Sequence, residues 1–142
     1  METLYNTEKT IAQDSSKSWS TDFLDIAYDT MDCVELTFFI QRAIFNRKFE
    51  IESREPGNIF YYAQFLKRHI NEFLIGKTDQ PQDGDCVLIK NRGRLSHVGT
   101  LHIFKGKKYI LHTMDCFNFS CLHDFDRLKS YGLEVEGIYK WK

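Results

Sequence analysis

The sequence has no long apolar run, only two prolines, and no excess of charge of either sign. Its 19 basic and 20 acidic side chains give a formal net charge of -1. Proteins that bind nucleic acid usually show a basic excess or a basic stripe, so no nucleic-acid partner is expected. No segment reaches the roughly 18 apolar residues of a membrane-spanning helix, so no membrane span is expected either.

The remaining composition is that of a globular domain. Hydrophobic residues make up 42% and aromatic residues 15% of the 142 positions, which excludes a disordered or low-complexity chain. A chain of this length can bury one hydrophobic core, and no repeat or proline-rich linker divides it. We therefore predict a single domain over residues 1–142.

The N-terminal segment is polar and contains no apolar stretch typical of a signal peptide: METLYNTEKTIAQDSSKSWS. We expect residues 1–18 to form a polar arm and the protein to be made in the cytoplasm without a signal peptide. It could still reach the cell wall or periplasm by a route that needs no such signal. Lysis, virion assembly and specialised secretion are routes of this kind.

Four cysteines are present, at positions 33, 86, 116 and 121. They could pair as two disulfides, but without a secretion signal free thiols are the better expectation. One activated cysteine among structural ones is then compatible with the sequence.

The first half of the chain carries a helical pattern. A short helix is predicted after Ser20 or Thr21 as its N-cap. A second is predicted over 33–47, because Asp32 is a good N-cap and the following apolar run contains neither glycine nor proline. A break at 54–58 precedes an amphipathic helix over 59–73.

The second half carries short strand patterns. After a loop at 76–84, strands are predicted over 85–90, 97–104, 107–114 and 133–141, with a short helix or turn at 124–131. Helices followed by a meander of strands indicate an α+β fold in which N-terminal helices pack on an antiparallel sheet.

Cys33 is the first candidate for chemistry. Directly after an Asp32 cap it would stand in the first helical turn, where the helix dipole favours an anion and lowers the pKa of a thiol. The alternative is that Cys33 is a small buried apolar residue, a common role of free cysteine.

Two histidines strengthen the catalytic interpretation. The segment SHVGTLHIFKGKKYILHTM predicts a β-hairpin that turns at Lys105-Gly106. A two-residue loop makes His97 and His112 diagonal neighbours on one face. Gly99 has no side chain that would separate them. Such a pair can supply a base and a group that orients it, as cysteine nucleophiles require. His102 has the opposite parity, so we expect it on the other face.

The same region allows a zinc interpretation, which we disfavour. Cys116 and Cys121 stand five residues apart, and His112 and His123 flank them. Structural zinc sites prefer two tight pairs of ligands, and the sequence shows only one loose pair of cysteines. No metal and no cofactor is therefore expected.

These residues together resemble a known family. The order of Tyr28, Asp32-Cys33, a buried helix, and the segments PQDGDCVLI, SHVGTLHIF and YILHTM resembles the NlpC-type cell-wall cysteine peptidases and their p-sixty relatives. The resemblance runs from about Trp19 to Trp141, and the ending LKSYGLEVEGIYKW is similar to the phage tail branch. It implies a papain-like fold and hydrolysis of peptidoglycan stem peptides, typically beside D-glutamate and diaminopimelate. Phage tail proteins are further implied partners.

The resemblance also implies roles for residues. It makes Cys33 the nucleophile, His97 the base and His112 the orienting residue of a Cys-His-His triad, and it places Tyr28 against the cysteine as catalytic or oxyanion support. Asp32 and Glu35 beside the nucleophile are candidate substrate-binding residues. Glu35 belongs to a departure, because the family usually has Ser-Gly or Trp-Gly where this chain has Val34-Glu35.

Other functions remain compatible with the same residues. The chain could be a different thiol enzyme on this fold, such as a toxin, a deamidase or an acyltransferase. It could also be a tail-assembly component that has kept the fold without activity.

Overall fold

The computed structural model describes residues 18–49 and 59–142, with the side chains of the latter range described from Tyr61 onward. The predicted arm, apart from Ser18, and the predicted break at 54–58 lie outside these residues. In the described part, helices pack on an antiparallel sheet of six strands, which confirms the α+β prediction. None of the described helices is long and apolar enough to cross a membrane.

The elements follow one another with short connections. The helices are a 3₁₀ helix at Trp19–Phe23, α1 at Cys33–Ala43, α2 at Ile59–Phe73, and 3₁₀ helices at Asp115–Phe117 and Phe125–Tyr131. The strands are β1 (Leu74–Lys77), β2 (Cys86–Asn91), β3 (Arg94–Phe104), β4 (Lys107–His112), β5 (Cys121–Asp124) and β6 (Leu133–Trp141). Their order across the sheet is β1-β6-β2-β3-β4-β5.

The sheet has two strands that the sequence pattern did not predict. β1 and β5 have four residues each and form the two edges of the sheet. Segments of this length give too few alternations for a period of two to be recognised. Both are held by pairing with a longer neighbour, β1 with β6 and β5 with β4.

Two predicted helix boundaries were wrong. α1 ends at Ala43 instead of residue 47, because Asn46 adopts a left-handed φ of 57° and the Arg47 amide donates to the Gln41 carbonyl at 2.9 Å. The first short helix is capped by Ser18 and not by Ser20 or Thr21. The Ser18 hydroxyl accepts a hydrogen bond from the Ser20 amide at 3.0 Å.

The β3–β4 hairpin has the predicted register. Phe104 pairs with Lys107, and the two loop residues Lys105 and Gly106 have φ values of 53° and 78°. Positive φ at both positions is what a tight type I′ turn requires. Because pairing continues to Thr100 and Leu111, the ends of the two strands bring positions 97 and 112 to the same side.

The core lies on both faces of the sheet. On one face α1 and α2 pack against β2 and β3, with Val34, Phe38, Leu88 and Val98 in one cluster. On the other face a second cluster around Leu101 lies under the 3₁₀ helix Phe125–Tyr131. This packing places the N-terminal end of α1 beside the N-terminal end of β3 and the C-terminal end of β4. The candidate residues of the sequence analysis lie in this region.

Gly99 provides a test of the hairpin geometry. A Cβ at this position would lie 2.8 Å from Ile110 Cγ2 and 3.1 Å from His112 Cβ. We expect Gly99→Ala to destabilise the protein by about 1–3 kcal/mol, the usual cost of overpacking a core. Gly76→Ala is the matched control, because a Cβ there has no atom within 4 Å. Urea unfolding measures both, and equal stability of the two variants would contradict the close approach.

Candidate functional site

A cleft of about 300 Å³ opens where α1 begins, beside the start of β3 and the segment that follows β4. Three of the sequence-predicted residues line it, namely Tyr28, Cys33 and His97. The others that line it are Tyr62, Asn91, Arg92, Ser96, Thr113, Met114 and Asp115. The structure thus brings the candidate nucleophile and the candidate base, which are 64 positions apart in sequence, to one cavity.

Cys33 is the first residue of α1, as predicted. Asp32 caps the helix, since its Oδ1 accepts a hydrogen bond from the Glu35 amide at 2.9 Å. Glu35 Oε1 accepts from the Asp32 amide at 3.0 Å, which completes a capping box. The Cys33 side chain is 3% exposed, so the positive end of the helix dipole acts on it with little screening by water.

The capping box gives Asp32 and Glu35 a structural role, and the substrate-binding role that the sequence suggested stays a prediction. Asp32 is fully buried and uses both carboxylate oxygens inside the fold, on the Glu35 amide and the Tyr62 hydroxyl. Glu35 is folded back onto the helix start. Neither residue lines the cleft. At the Val34-Glu35 departure, the Glu35 side chain therefore supports the start of the helix.

His97 and His112 meet as the hairpin register requires. His97 Nε2 lies 2.8 Å from His112 Nδ1, and both rings are buried. A bulge precedes His97, because Ile89 pairs with His97 but Lys90 pairs with Leu95, which leaves Ser96 as the extra residue. Bulges at strand ends re-aim side chains beside active sites. His97 keeps its Nδ1 on the side of the ring away from His112.

Burial sets the charge state of this pair. It lowers the pKa of His97 to about 3, and it lowers the pKa of His112 well below its usual value, with His97 and His123 contributing to the second shift. Both rings are therefore neutral at neutral pH. A neutral His97 is able to accept a proton, and a thiolate formed beside it would raise its pKa again by stabilising the imidazolium.

A third histidine, which the sequence analysis named only in the disfavoured zinc interpretation, extends the pair. His123 Nδ1 lies 2.9 Å from His112 Nε2. If His97 carries its proton on Nε2, it donates to His112 Nδ1, and His112 then donates from Nε2 to His123. One tautomer assignment thus satisfies the whole chain of rings. β5 delivers His123, and this strand was not predicted.

Tyr28 lies in the cleft in a second hydrogen-bonded chain. Its hydroxyl is 2.9 Å from that of Tyr62, and the Tyr62 hydroxyl donates to Asp32 Oδ2 at 3.1 Å. Because Tyr62 has one hydroxyl hydrogen, Tyr28 must be the donor in their contact. Burial raises the pKa of Tyr28 to about 12. The nearby Cys33, Asp32 and Asp115 act in the same direction, and the hydrogen bond to Tyr62 opposes the shift. Tyr28 therefore stays protonated, with its proton directed to Tyr62.

His102 lies apart from the cleft, as its parity predicts. Its Nδ1 is 2.9 Å from Asp83 Oδ1 and its Nε2 is 2.6 Å from Ser18 Oγ. The order serine, histidine, aspartate is that of a catalytic triad, but here Ser18 caps a helix and Trp19 packs against the imidazole with ring centroids 4.5 Å apart. We interpret this group as the link that holds the first 3₁₀ helix to the sheet.

The four cysteines are free thiols, as expected. Cys86 is fully enclosed in β2, and burial raises the pKa of its thiol. Cys121 lies beside His123, with Sγ 3.6 Å from Nε2 and 3.9 Å from Nδ1. Of the four residues in the zinc interpretation, the structure brings His112, Cys121 and His123 together.

The capping box is tested by two substitutions of one residue. Glu35→Gly removes the side chain that accepts from the Asp32 amide and places glycine in the first helical turn. We expect a loss of about 1–2 kcal/mol in the free energy of unfolding. Glu35→Gln keeps an oxygen for the same bond and should lose less. Thermal unfolding followed by circular dichroism measures both variants, and full stability of Glu35→Gly would contradict the structural role.

No family model, no curated protein and no solved structure matches this chain. The cleft itself combines three features: a cysteine at a helix start, a neutral histidine in the same cavity, and a second histidine hydrogen-bonded to the first.

Proposed function

We propose that this protein is a papain-like cysteine peptidase or amidase that hydrolyses peptidoglycan stem peptides, carried by a phage or prophage tail. One observation carries the proposal: Cys33, at the first position of α1, and His97 line the same cleft, and Nε2 of His97 is hydrogen-bonded to His112. The bacterial substrate and the tail context come from the resemblance of the sequence motifs.

These positions support the following reaction. Cys33 Sγ attacks the carbonyl carbon of the scissile amide while its proton passes to His97 Nδ1. The carbon–nitrogen bond then breaks, and His97 returns the proton to the leaving amine. Water hydrolyses the resulting thioester with His97 again as base. His112 holds the ring of His97 in the required tautomer by accepting from its Nε2.

The cleft offers groups for a peptide that carries charges. Arg92 is an exposed cation at one side and can pair with a carboxylate of the substrate, such as those of D-glutamate or diaminopimelate. Asp115, also exposed, can pair with an amino group. Thr113 is 1% exposed and its hydroxyl has no hydrogen-bond partner in the described part of the chain. A buried hydroxyl without a partner is costly, and a peptide group in the cleft would supply one.

The activity test uses an isolated stem peptide and the appearance of a new amino group, followed by mass spectrometry. Cys33→Ala should abolish turnover, because the covalent step is lost. His97→Ala should lower kcat by about 10²–10⁴-fold, the usual contribution of a general base. His112→Ala should lose less, and His112→Asn should recover part of that loss because an amide oxygen can accept from His97 Nε2.

Matched controls separate these effects from misfolding. Cys116→Ser removes an exposed thiol and His69→Ala removes a histidine whose partner is the exposed Glu72, so both should keep full activity. Circular dichroism should show all variants folded. Turnover by Cys33→Ala would exclude the thiol mechanism. Inactivity of the wild-type protein on every cell-wall peptide would exclude the proposed substrate.

A further inference from the structure

A cluster of three potential metal ligands lies on the side of His112 that faces away from His97. Its members are His112, Cys121 and His123, and their ligand atoms all lie within 4.8 Å of one another. The pairing of β4 with β5 creates it. His112 faces Cys121 across the two strands, and His123 is two residues further along β5, on the same side of the strand. The ligands are thus collected by the sheet and not by a sequence motif.

The distances in the cluster suit a tetrahedral ion. With metal–nitrogen bonds near 2.0–2.1 Å and metal–sulfur bonds near 2.3 Å, tetrahedral ligands lie about 3.3 Å (N–N) and about 3.6 Å (N–S) apart. Here His112 Nε2 is 2.9 Å from His123 Nδ1, and Cys121 Sγ is 3.9 Å from the same nitrogen. Adjustments of a few tenths of an ångström would bring these two separations to the tetrahedral values, and Cys121 Sγ lies within 4.8 Å of the ligand nitrogen of His112.

The surroundings are those of a metal centre. His112 is fully buried, while Cys121 and His123 are half-buried, which leaves one side through which an ion can enter. The ring of Tyr131 stacks on His123 with centroids 4.3 Å apart, and Phe117 meets both histidines edge-on at 5.5 and 5.0 Å. Aromatic groups of this kind limit the access of water to a metal and lower the dielectric around it.

We propose that His112 Nε2, His123 Nδ1 and Cys121 Sγ form a binding site for a borderline-soft divalent ion, with zinc as the expected metal. A thiolate with two imidazoles is a donor set that zinc favours over the hard cations magnesium and calcium. Three protein ligands leave the fourth tetrahedral position for water or an added ligand. Binding displaces the proton of the Cys121 thiol.

The site shares His112 with the proposed hydrolase, and this consequence rests on the proposed function. A metal on Nε2 of His112 leaves the ring proton on Nδ1, so that Nδ1 becomes a donor to His97 Nε2. His97 then carries its own proton on Nδ1 and has no lone pair there for the proton of Cys33. Metal binding and thiol activation therefore require opposite directions of the same hydrogen bond. Zinc should inhibit hydrolysis.

The binding test uses cobalt(II) as the probe, added to reduced, chelator-treated full-length protein. Thiolate coordination gives an absorption band from sulfur-to-cobalt charge transfer, and tetrahedral geometry gives intense visible bands. Cys121→Ser should lose the charge-transfer band, and Cys121→Ser and His123→Gln should weaken cobalt binding by more than about 100-fold, since even outer-shell partners contribute 10–100-fold. Zinc should displace the bound cobalt.

Two controls give the result its meaning. Cys116→Ser removes the exposed thiol that is not a member of the cluster, and Cys33→Ala removes the thiol of the cleft; both should bind cobalt like the wild-type protein. Absence of the band in the wild-type protein would overturn the site. Its loss in Cys116→Ser or Cys33→Ala would also do so, because the thiolate would then come from another cysteine. Near-ultraviolet circular dichroism shows whether each variant is folded, and Cys121→Ala repeats the test with a smaller side chain.

The inhibition test is separate from the binding test. Added zinc should lower the rate of hydrolysis by the wild-type protein, and a chelator should restore it. The rate of Cys121→Ser should be the same with and without zinc. Cobalt binding by Cys33→Ala without any hydrolysis by the wild-type protein would support the metal site and contradict the proposed function. Hydrolysis without cobalt binding would do the reverse.

Discussion

The hydrogen bond between His97 Nε2 and His112 Nδ1 depends on several other features of the structure. Two buried imidazoles present four polar nitrogens, and each one left without a partner would cost about 1–3 kcal/mol. His123 is the partner of His112 Nε2, and contact between the two rings pairs His97 Nε2 with His112 Nδ1. That contact needs a hairpin of fixed register, a glycine at position 99 to admit the ring of His112, and a bulge at Ser96 where His97 enters the strand.

The start of α1 is subject to a second constraint, which acts through Asp32. One carboxylate caps the helix and also accepts from Tyr62, so the position of Cys33 and the chain of tyrosine hydroxyls depend on the same buried group. A helix that begins at an unsupported residue frays, and the dipole at a frayed end has little effect on a thiol. The buried carboxylate thus connects helix stability to the chemistry expected of Cys33.

The sequence predicted those parts of the site that depend on local rules. Asp32 before an apolar run identified the start of α1, and Lys105-Gly106 determined the hairpin register and hence the meeting of His97 with His112. It could not predict β5, whose four residues show too little periodicity and whose position depends on pairing with β4. The sequence analysis named His112, Cys121 and His123 only in a zinc interpretation that it disfavoured, because without β5 nothing in the pattern shows that the three converge. The role of Tyr62 was missed because the pattern of a helix does not predict which residues of other elements its side chains contact.

His112 is the point at which the two proposals meet. A histidine has two nitrogens and, when neutral, one proton, so a partner at one nitrogen decides what the other can do. In this fold one nitrogen faces His97 and the other faces His123 and Cys121, and no second side chain is required to transmit a change between the two sides. With the proton on Nε2, His112 accepts from His97 and supports a base in the cleft. With a metal on Nε2, it donates to His97 and withdraws that support. Coupling by one ring is reciprocal, so a thiolate–imidazolium pair in the cleft must weaken metal binding behind it.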